Sequence, residues 1–285
     1  MPELPEIEHL KRSLEPFLIG STVVKVDLQR RDVLRQYGRQ TNWRAYSKDL
    51  LAGTTISSLC RHGKNLALVS DAGPVLCVHL GMSGQMRFSP AGKRLSETTH
   101  VHCLWTLASK QGNGKLIFRD PRRFGGLWSF PSIQMLREHR WSSLGPDALA
   151  IRASDLAARL HKTQRPIKAA LLEQSILAGV GNIYADESLF RAGIDPRSIA
   201  ARLSKDRVKA LTRAIHQVLG AAINAGGSTI RSYLDGSGNG GSFANRHQVY
   251  GRGGQVCLAC GHSLEQVVIA QRTTVFCNHC QQLFL

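Results

Sequence analysis

Four cysteines near the C-terminus have the types and spacing of a metal site. They form two Cys-x-x-Cys pairs, Cys257 with Cys260 and Cys277 with Cys280, and sixteen residues separate the pairs. Four thiolates complete the tetrahedron that Zn²⁺ prefers and leave no open position for catalysis. Two disulfides or four free thiols are the alternatives, and the spacing favours metal over both. The pattern therefore predicts one structural zinc ion.

The segment between the two cysteine pairs predicts a hairpin. Residues 267–269 and 274–276 are rich in β-branched and aromatic types, which is typical of strands. Gln271 and Arg272 would then lie at the tip of the hairpin. So small a ribbon cannot bury a core of its own, and we expect the zinc ion to hold the tip rigid.

The N-terminus offers a second chemistry. Pro2 becomes the first residue once Met1 is removed, and because α-amino groups have a pKa near 8, about a tenth of such amines are unprotonated at neutral pH. These amines form imines with carbonyl-like carbons when an acid–base group assists. Glu3 is adjacent, and Glu6 lies one helical turn away. An acidic first turn also complements a helix dipole, so the residues alone favour a structural role.

The charge of the chain indicates a polyanionic partner. Its 37 Lys and Arg residues outnumber its 20 Asp and Glu residues, giving a net charge of +17 and an isoelectric point near 10.1. Nucleic acid is the first expectation, and an anionic membrane is a distant second because no basic amphipathic helix with an aromatic face is found. No apolar run is long enough to span a membrane, and the acidic N-terminus is unlike a signal or transit peptide. We therefore expect a cytoplasmic, nucleoid-associated protein.

The elements that must position these groups differ along the chain. Residues 2–18 have apolar side chains at helical spacing and predict an amphipathic helix. From Val23 to about Phe130, many short strands broken by turn residues predict a sandwich or barrel. Examples of the predicted strands are Thr22–Leu28, Thr54–Cys60, Leu66–Val69, Val75–Leu80, Val101–Leu107 and Lys115–Phe118.

From about residue 151 the pattern is helical. Residues 167–178 and 184–192 predict helices around a glycine-rich break, and a longer helix spans 204–224 with Ser204 as its N-cap. The glycine-rich segment 235–246 predicts a mobile loop. These patterns predict a β domain at 1–135, a linker at 136–150, a helical domain at 151–248 and a zinc finger at 249–285.

Several separate segments together resemble the formamidopyrimidine-DNA glycosylase family. They run in the family's order from residue 1 to about residue 282: MPELPEIE at the start, HLGMSG (79–84), DPRRFG (120–125), IKAALLEQSILAGVGNIYADESLFRAGIDP (167–196), GGSTIR (226–231), VYGR (249–252) and the two cysteine pairs. The resemblance implies an α+β fold with an N-terminal helix and β-sandwich, a helix–two-turns–helix domain and a C-terminal zinc ribbon. It also implies a glycosylase and lyase of base excision repair that acts, as a monomer, on double-stranded DNA with oxidised purines or abasic sites.

The resemblance assigns four catalytic positions. Pro2 would attack C1′ of the damaged nucleotide, and Glu3 would donate a proton at the sugar during base loss. Lys64, in RHGKNLAL, matches a strand lysine that assists β-elimination; outside that motif a surface or phosphate-binding lysine would be expected. Arg272 matches the arginine that grips phosphates and assists δ-elimination, and an arginine on a rigid tip suits bidentate phosphate capture.

Three positions match residues that fill the void left by a flipped nucleotide. A glycosylase must extrude its target, at a cost of a few kcal/mol, and something must occupy the hole. Phe124 would wedge the opposite strand, Arg122 would bond the orphaned cytosine, and Met82 would complete the filling. Core packing is the alternative for Met82 and Phe124, although their glycine- and proline-containing motifs favour exposed turns.

Four more positions are candidate DNA contacts. Asn182, at the start of a helix, matches a phosphate-binding asparagine, and Lys168 matches a lysine near the lesion. His100 matches a DNA-contacting histidine, although a strand histidine with local partners is the alternative. The family often has a basic residue four positions before Lys168, where this chain has Gln164 followed by Arg165.

Two other segments depart from the family, and two alternative functions remain open. Residues 36–48 are longer and more polar than usual and suggest no function, while extra Gly and Ser at 235–246 lie where the family closes over the flipped base. An endonuclease VIII-type enzyme for oxidised pyrimidines is the nearest alternative; it typically has Gly at position 4, where this chain has Leu4, and lacks DPRRFG. A catalytically silent DNA-binding protein is the other, disfavoured because Pro2, Glu3 and Lys64 are all present.

Overall fold

A computed structural model of the chain describes residues 2–36, 46–93, 99–110, 112–229 and 233–285. Most of the segment 36–48 therefore lies outside the described residues. The described chain divides into two units, one of residues 1–142 with 226–242 and one of residues 143–225 with 243–285. None of the helices in the described ranges combines the length and the apolar character that crossing a membrane requires.

Two sheets and one long helix build the first unit. The elements are α1 (Leu4–Leu18), β1 (Thr22–Leu28), β2 (Leu34–Gln36), α2 (Tyr46–Asp49), β3 (Ile56–His62), β4 (Asn65–Ser70), β5 (Val75–His79), β6 (Gln85–Pro90), β7 (Val101–Ala108), β8 (Gly114–Arg119) and β9 (Gly126–Phe130). A four-stranded sheet has the order β1–β7–β8–β6, and a five-stranded sheet has the order β2–β9–β5–β4–β3, in which only β2 and β9 run parallel.

A single hydrophobic core joins α1 to both sheets. The apolar face of α1 buries Ile7, Leu10 and Leu14, as its helical spacing predicts, and side chains of both sheets complete the same core. Alternation along the strands of the five-stranded sheet turns its other residues to the opposite face. That face meets α3 (Ile133–Leu136) and the π-helical turn Arg137–Trp141, which follow β9.

Four helices and a hairpin build the second unit. They are α4 (Ala153–Leu160), α5 (Ile167–Leu172), α6 (Asn182–Ala192), α7 (Lys205–Asn224), β10 (Glu265–Ile269) and β11 (Arg272–Phe276). The Ser204 side chain accepts the Arg207 N–H and caps α7, as the sequence predicts. Gly193 ends α6 with φ +67°, a conformation that favours glycine.

Three features differ from the sequence-based expectations. The helix predicted at 167–178 ends at Leu172. The predicted linker 136–150 contains the π-helical turn and buries Trp141. Residues 226–242 belong to the unit of the β-sheets, because their backbone bonds to α1, whereas the sequence places them in the helical domain.

Candidate functional site

The start of α1 is a buried acidic site. Pro2 and Glu3 are both buried, and Glu6 lies one turn further along the helix. The Glu6 carboxylate accepts the Glu3 N–H at 2.8 Å through Oε2 and the Ser228 N–H at 2.7 Å through Oε1. Glu6 therefore fixes the peptide that joins Pro2 to Glu3. The sequence analysis notes Glu6 only as a nearby acid, although the Glu3-x-x-Glu6 spacing is typical of a capping arrangement.

The 226–242 loop is tied to α1 at several points. The Tyr233 hydroxyl donates to the Glu6 carbonyl at 2.8 Å, and burial, with help from neighbouring carboxylates, raises the pKa of Tyr233. Gly236 N–H donates to Ser13 Oγ at 2.9 Å. Gly227 has φ +83°, and a side chain there would meet Glu6 Oε1 at 2.7 Å. The predicted mobile loop 235–246 is thus anchored through Gly236 on α1, the helix that follows Pro2.

Lys64 lies in the turn between β3 and β4 and is only 6% exposed. His79, at the end of β5, is close to it: burial, then the charges of Arg140 and Lys64, lower the pKa of His79 to about 4. The His79 Nδ1 atom accepts the Gly81 N–H at 3.1 Å. His79 is therefore neutral at pH 7 with its proton on Nε2. The sequence analysis did not select His79, although it opens the motif HLGMSG.

Met82 and Phe124 project from two neighbouring loops. They are 43% and 56% exposed, which is unusual for large apolar side chains and excludes the core-packing alternative. The Arg122 guanidinium lies 4.8 Å from the centre of the Phe124 ring. The structure thus brings all three predicted void-filling residues to the surface of the first unit.

A buried carboxylate holds these two loops together. Asp120 Oδ1 accepts the Ser83 hydroxyl at 2.6 Å, and Asp120 Oδ2 accepts the Gly125 N–H at 2.7 Å. A side chain at Gly81 would clash with the backbone of the DPRRFG loop and lie 2.5 Å from the Gly125 nitrogen. Ser83 and Asp120 fix the backbone on both sides of the exposed residues, and neither was among the site residues predicted from the sequence.

His100 lies apart from a regular strand position. It is exposed, has φ +61° and precedes β7, and its carbonyl accepts the Asp120 N–H at 3.1 Å. A strand histidine with a satisfied ring, which was the alternative interpretation, would be neither exposed nor left-handed. The ring is therefore available at the surface near the DPRRFG loop.

Lys168 in the second unit is a buried ion-pair partner. Its side chain is 0% exposed, and its ammonium lies 2.7 Å from Asp186 Oδ1. It also donates to Thr274 Oγ1 at 2.8 Å and to the Thr273 carbonyl at 3.1 Å. The three contacts use the three donors of an ammonium group, so the expectation of a direct DNA contact does not fit this arrangement. Burial raises the pKa of Asp186 to about 7, although Lys168 opposes the shift.

Asn182 and Arg272 depend on the same stretch of β11. The Asn182 side chain donates to the Thr273 carbonyl at 3.1 Å, so Asn182 and Lys168 share one acceptor. Arg272 is exposed at the hairpin tip, opposite Ile269 and directly after a turn with two left-handed residues. Gln164 is exposed before α5, and its neighbour Arg165 pairs with Glu173 at 3.5 Å.

The four cysteines fit one tetrahedral metal ion. Their sulfur atoms all lie within 4.8 Å of one another, with Cys257–Cys280 at 3.9 Å and Cys260–Cys277 at 3.5 Å. A tetrahedron with Zn–S bonds of about 2.3 Å requires sulfur atoms about 3.8 Å apart. The thiolate set is closed, so zinc bound there is structural.

Family models match almost the whole chain. Residues 1–127 match the formamidopyrimidine-DNA glycosylase N-terminal domain, and residues 144–233 match the H2TH domain of the same enzymes. Residues 254–283 match the zinc finger found in FPG and IleRS. The three matches follow one another in the order of the helix and sheets, the helical region and the four-cysteine hairpin.

Full-length relatives and solved structures agree with these matches. The chain is 38% identical to formamidopyrimidine-DNA glycosylase of Shewanella halifaxensis, covering 99% of this chain and 100% of the relative, and 39% identical to that of Solibacter usitatus with the same coverage. It resembles the MutM (Fpg) protein of Thermus thermophilus with TM-score 0.83, 38% identity and 98% of both chains covered. A Lactococcus lactis Fpg variant bound to Fapy-dG DNA has TM-score 0.86 and 32% identity over 99% of this chain and all of that one.

Proposed function

Because this chain belongs to the formamidopyrimidine-DNA glycosylase family, we propose that Pro2 attacks C1′ of an oxidised purine nucleotide and that the strand is then cut on both sides of the lesion. The chain is a glycosylase of base excision repair for oxidised purines, and lyase activity at abasic sites is typical of its family. The observation that supports the residue assignment is the buried start of α1, where Glu6 holds the Pro2–Glu3 peptide.

The steps follow from the chemistry of a secondary amine. The Pro2 nitrogen bonds to C1′, the N-glycosidic bond breaks, and the departing base takes up a proton. Glu3, buried beside Pro2, donates a proton to the sugar ring oxygen, so that the ring opens to an iminium ion. Lys64 accepts the C2′ proton, which expels the 3′ phosphate. A second elimination, supported by Arg272, removes the C4′ proton to solvent and expels the 5′ phosphate, and water then hydrolyses the imine and releases Pro2.

The exposed loops of the first unit suit a flipped nucleotide. Phe124 and Met82 supply apolar area for the vacated stack, while the planar guanidinium of Arg122 suits the hydrogen-bonding edge of the opposite base. Asp120 and Ser83 keep these side chains at the surface before DNA arrives, which lowers the ordering cost of binding. Zinc supplies rigidity to the hairpin that carries Arg272 and takes no part in bond breaking.

The decisive test is borohydride trapping on duplex DNA with one 8-oxoguanine opposite cytosine, followed by mapping of the cross-linked peptide. We expect an adduct at Pro2 and strand scission in parallel reactions without borohydride. Pro2→Gly should impair trapping while retaining non-specific DNA binding, and Pro5→Gly, in the first turn of α1, should retain both. Trapping at another residue would contradict the assignment, and a preference for thymine glycol would favour an enzyme for oxidised pyrimidines.

We further propose that the chain acts as a monomer and is cytoplasmic and nucleoid-associated. A net charge of +17 favours association with DNA, and neutralising several phosphates should make the affinity fall steeply with salt. Light scattering of the protein alone and bound to a short duplex measures the stoichiometry. A two-to-one complex on a single lesion would contradict the monomer.

A further inference from the structure

The outer face of the five-stranded sheet carries an arginine beside the turn that presents Lys64. Asn65 pairs with His79, and Cys77 pairs with Trp128, so these side chains share the face turned away from the main core. Arg140, on the π-helical turn Arg137–Trp141, lies over this face. Its guanidinium carbon is 3.6 Å from the centre of the Trp128 ring, close enough for a strong cation–π contact.

The π-helical turn contacts the Lys64 turn at both ends. Arg140 Nη2 donates to Asn65 Oδ1 at 3.2 Å, and the Asn65 amide nitrogen donates to the His62 carbonyl at 3.4 Å. Trp141, the next residue, stacks on the His62 ring with 5.5 Å between centroids. The turn His62–Asn65 is therefore held by one side chain at its start and by another at its end.

A second arginine braces the middle of the same turn. Arg61 donates to the Gly63 carbonyl at 3.1 Å, and Glu8 on α1 holds Arg61 at 2.8 Å. The residues on both sides of Lys64 in the turn are therefore fixed, Gly63 by Arg61 and Asn65 by Arg140. π-Helical turns are rare and occur frequently at functional sites, which fits a structural device built for one position.

We propose that Arg140 is a positioning residue for the elimination step: by binding Asn65 while it stacks on Trp128, it fixes the turn His62–Asn65 so that the Lys64 amine meets the C2′ proton. This role rests on the function proposed above for Lys64. It predicts that the two half-reactions separate. Base release depends on Pro2 and Glu3 at the start of α1, whereas strand cleavage depends on the placement of Lys64.

The test compares Arg140→Leu, Arg140→Lys, Lys64→Met and Arg207→Leu. Arg207 is a matched control, because it also lies over an aromatic ring, Phe284 at 5.1 Å, and its removal changes the net charge equally. Single-turnover reactions measure base release by hot-alkali cleavage and lyase action by direct nicking of a preformed abasic site. In Arg140→Leu we expect the nicking rate to fall about tenfold and the rate of base release to change by less than about twofold. A tenfold loss is part of the 10²–10⁴-fold rate increase that a positioned proton acceptor contributes.

Arg140→Lys should recover part of the nicking rate, since it keeps the charge but loses the planar stacking and the directed bond to Asn65.

Histidine NMR provides a readout independent of catalysis. Arg140→Leu should raise the pKa of His79 from about 4, because one of the two cations that lower this pKa is gone, whereas Arg207→Leu should leave it unchanged. Equal losses of base release and nicking would assign Arg140 to folding alone and overturn the proposal. Normal nicking by Arg140→Leu, with nicking lost in Lys64→Met, would overturn the role of Arg140 but not that of Lys64. Normal nicking by Lys64→Met would overturn both roles.

Discussion

Replacing Asp186 with Asn should leave the Lys168 ammonium buried without its counter-charge. The cheapest response of an unpaired buried lysine is to lose its proton. From an ordinary lysine pKa near 10.4, deprotonation at pH 8 costs about 3 kcal/mol, at about 1.4 kcal/mol per unit. That figure agrees with the roughly 3–5 kcal/mol measured when one partner of a buried pair is removed. At pH 9 the same penalty should shrink to about 2 kcal/mol.

Urea unfolding at pH 8 and pH 9 measures this penalty. The pKa of Asp186 is raised to about 7, so its carboxylate is ionised in the wild type at both pH values. Far-UV circular dichroism follows the helices, most of which lie in the second unit, while all four tryptophans lie in the range 1–142 of the first unit. The penalty should appear in the dichroism transition. A loss below about 1 kcal/mol at pH 8, or one that does not shrink at pH 9, would refute the reasoning.

A double variant separates positioning from DNA contact. Lys168→Met with Asp186→Asn removes both charges, and Asn keeps an acceptor for the Val275 N–H that Asp186 binds at 3.3 Å. Most of the lost stability should therefore return. If Lys168 only anchors the hairpin, affinity for lesion DNA should return as well. Restored stability with affinity still lost would mean that the lysine reaches DNA in the complex.

The remaining predictions concern the loops, a histidine and the metal. Gly81→Ala should destabilise the fold by more than Gly92→Ala and should weaken lesion binding. Both glycines have a left-handed backbone, but only Gly81 faces the backbone of Phe124. Equal losses of stability in denaturation would show that backbone conformation alone matters. The pKa of His79 is lowered to about 4 from 6.5. Its contribution to stability is therefore complete above pH 6.5 and decreases by at most about 3 kcal/mol as the pH falls towards 4. His79→Asn should flatten this part of the pH–stability curve, and an unchanged slope would contradict the shift. Verified removal of zinc should weaken lesion binding in fluorescence anisotropy, and added zinc should restore it; unchanged affinity would contradict the role of the hairpin.

Local patterns in the sequence predicted the elements whose boundaries are set locally. The strand Thr22–Leu28 was predicted with its observed limits, and Ser204 was predicted as the cap of α7. Apolar periodicity and a capping side chain both act within a few residues, so the chain itself carries the signal. The four cysteines belong to the same class, because spacing alone decides their geometry.

Elements decided by distant contacts were missed or misplaced. The predicted helix at 167–178 stops at Leu172 because Gln174 is held elsewhere: its side chain donates to the Val180 carbonyl and accepts the Gly179 N–H, while its carbonyl accepts the Gly145 N–H. Strands β6 and β9 contain proline, serine or glycine and are strands only because neighbouring strands pair with them. No periodicity within these segments reports such partners.

The candidate site divides in the same way. The resemblance identified Lys168 by position, as a lysine near the lesion. Its partner Asp186 lies eighteen residues further on, and nothing in the sequence states that α5 and α6 bring the two side chains to 2.7 Å. Ser83 and Asp120 were likewise present in two quoted motifs, but their bond joins loops thirty-seven residues apart.

Three residues assigned to catalysis or DNA binding each precede a residue that makes a polar contact in the fold. Arg272 precedes Thr273, whose carbonyl binds Lys168; Phe124 precedes Gly125, whose N–H binds Asp120; and Lys64 precedes Asn65, whose amide binds Arg140. Fixing the neighbouring residue places the backbone from which each of these three side chains projects. The cost of burying polar groups is offset by the bonds they make. Variants at these neighbouring residues should therefore impair the elimination steps and the filling of the stack, while the charge that attracts DNA stays unchanged. Removing surface lysines and arginines should have the opposite effect.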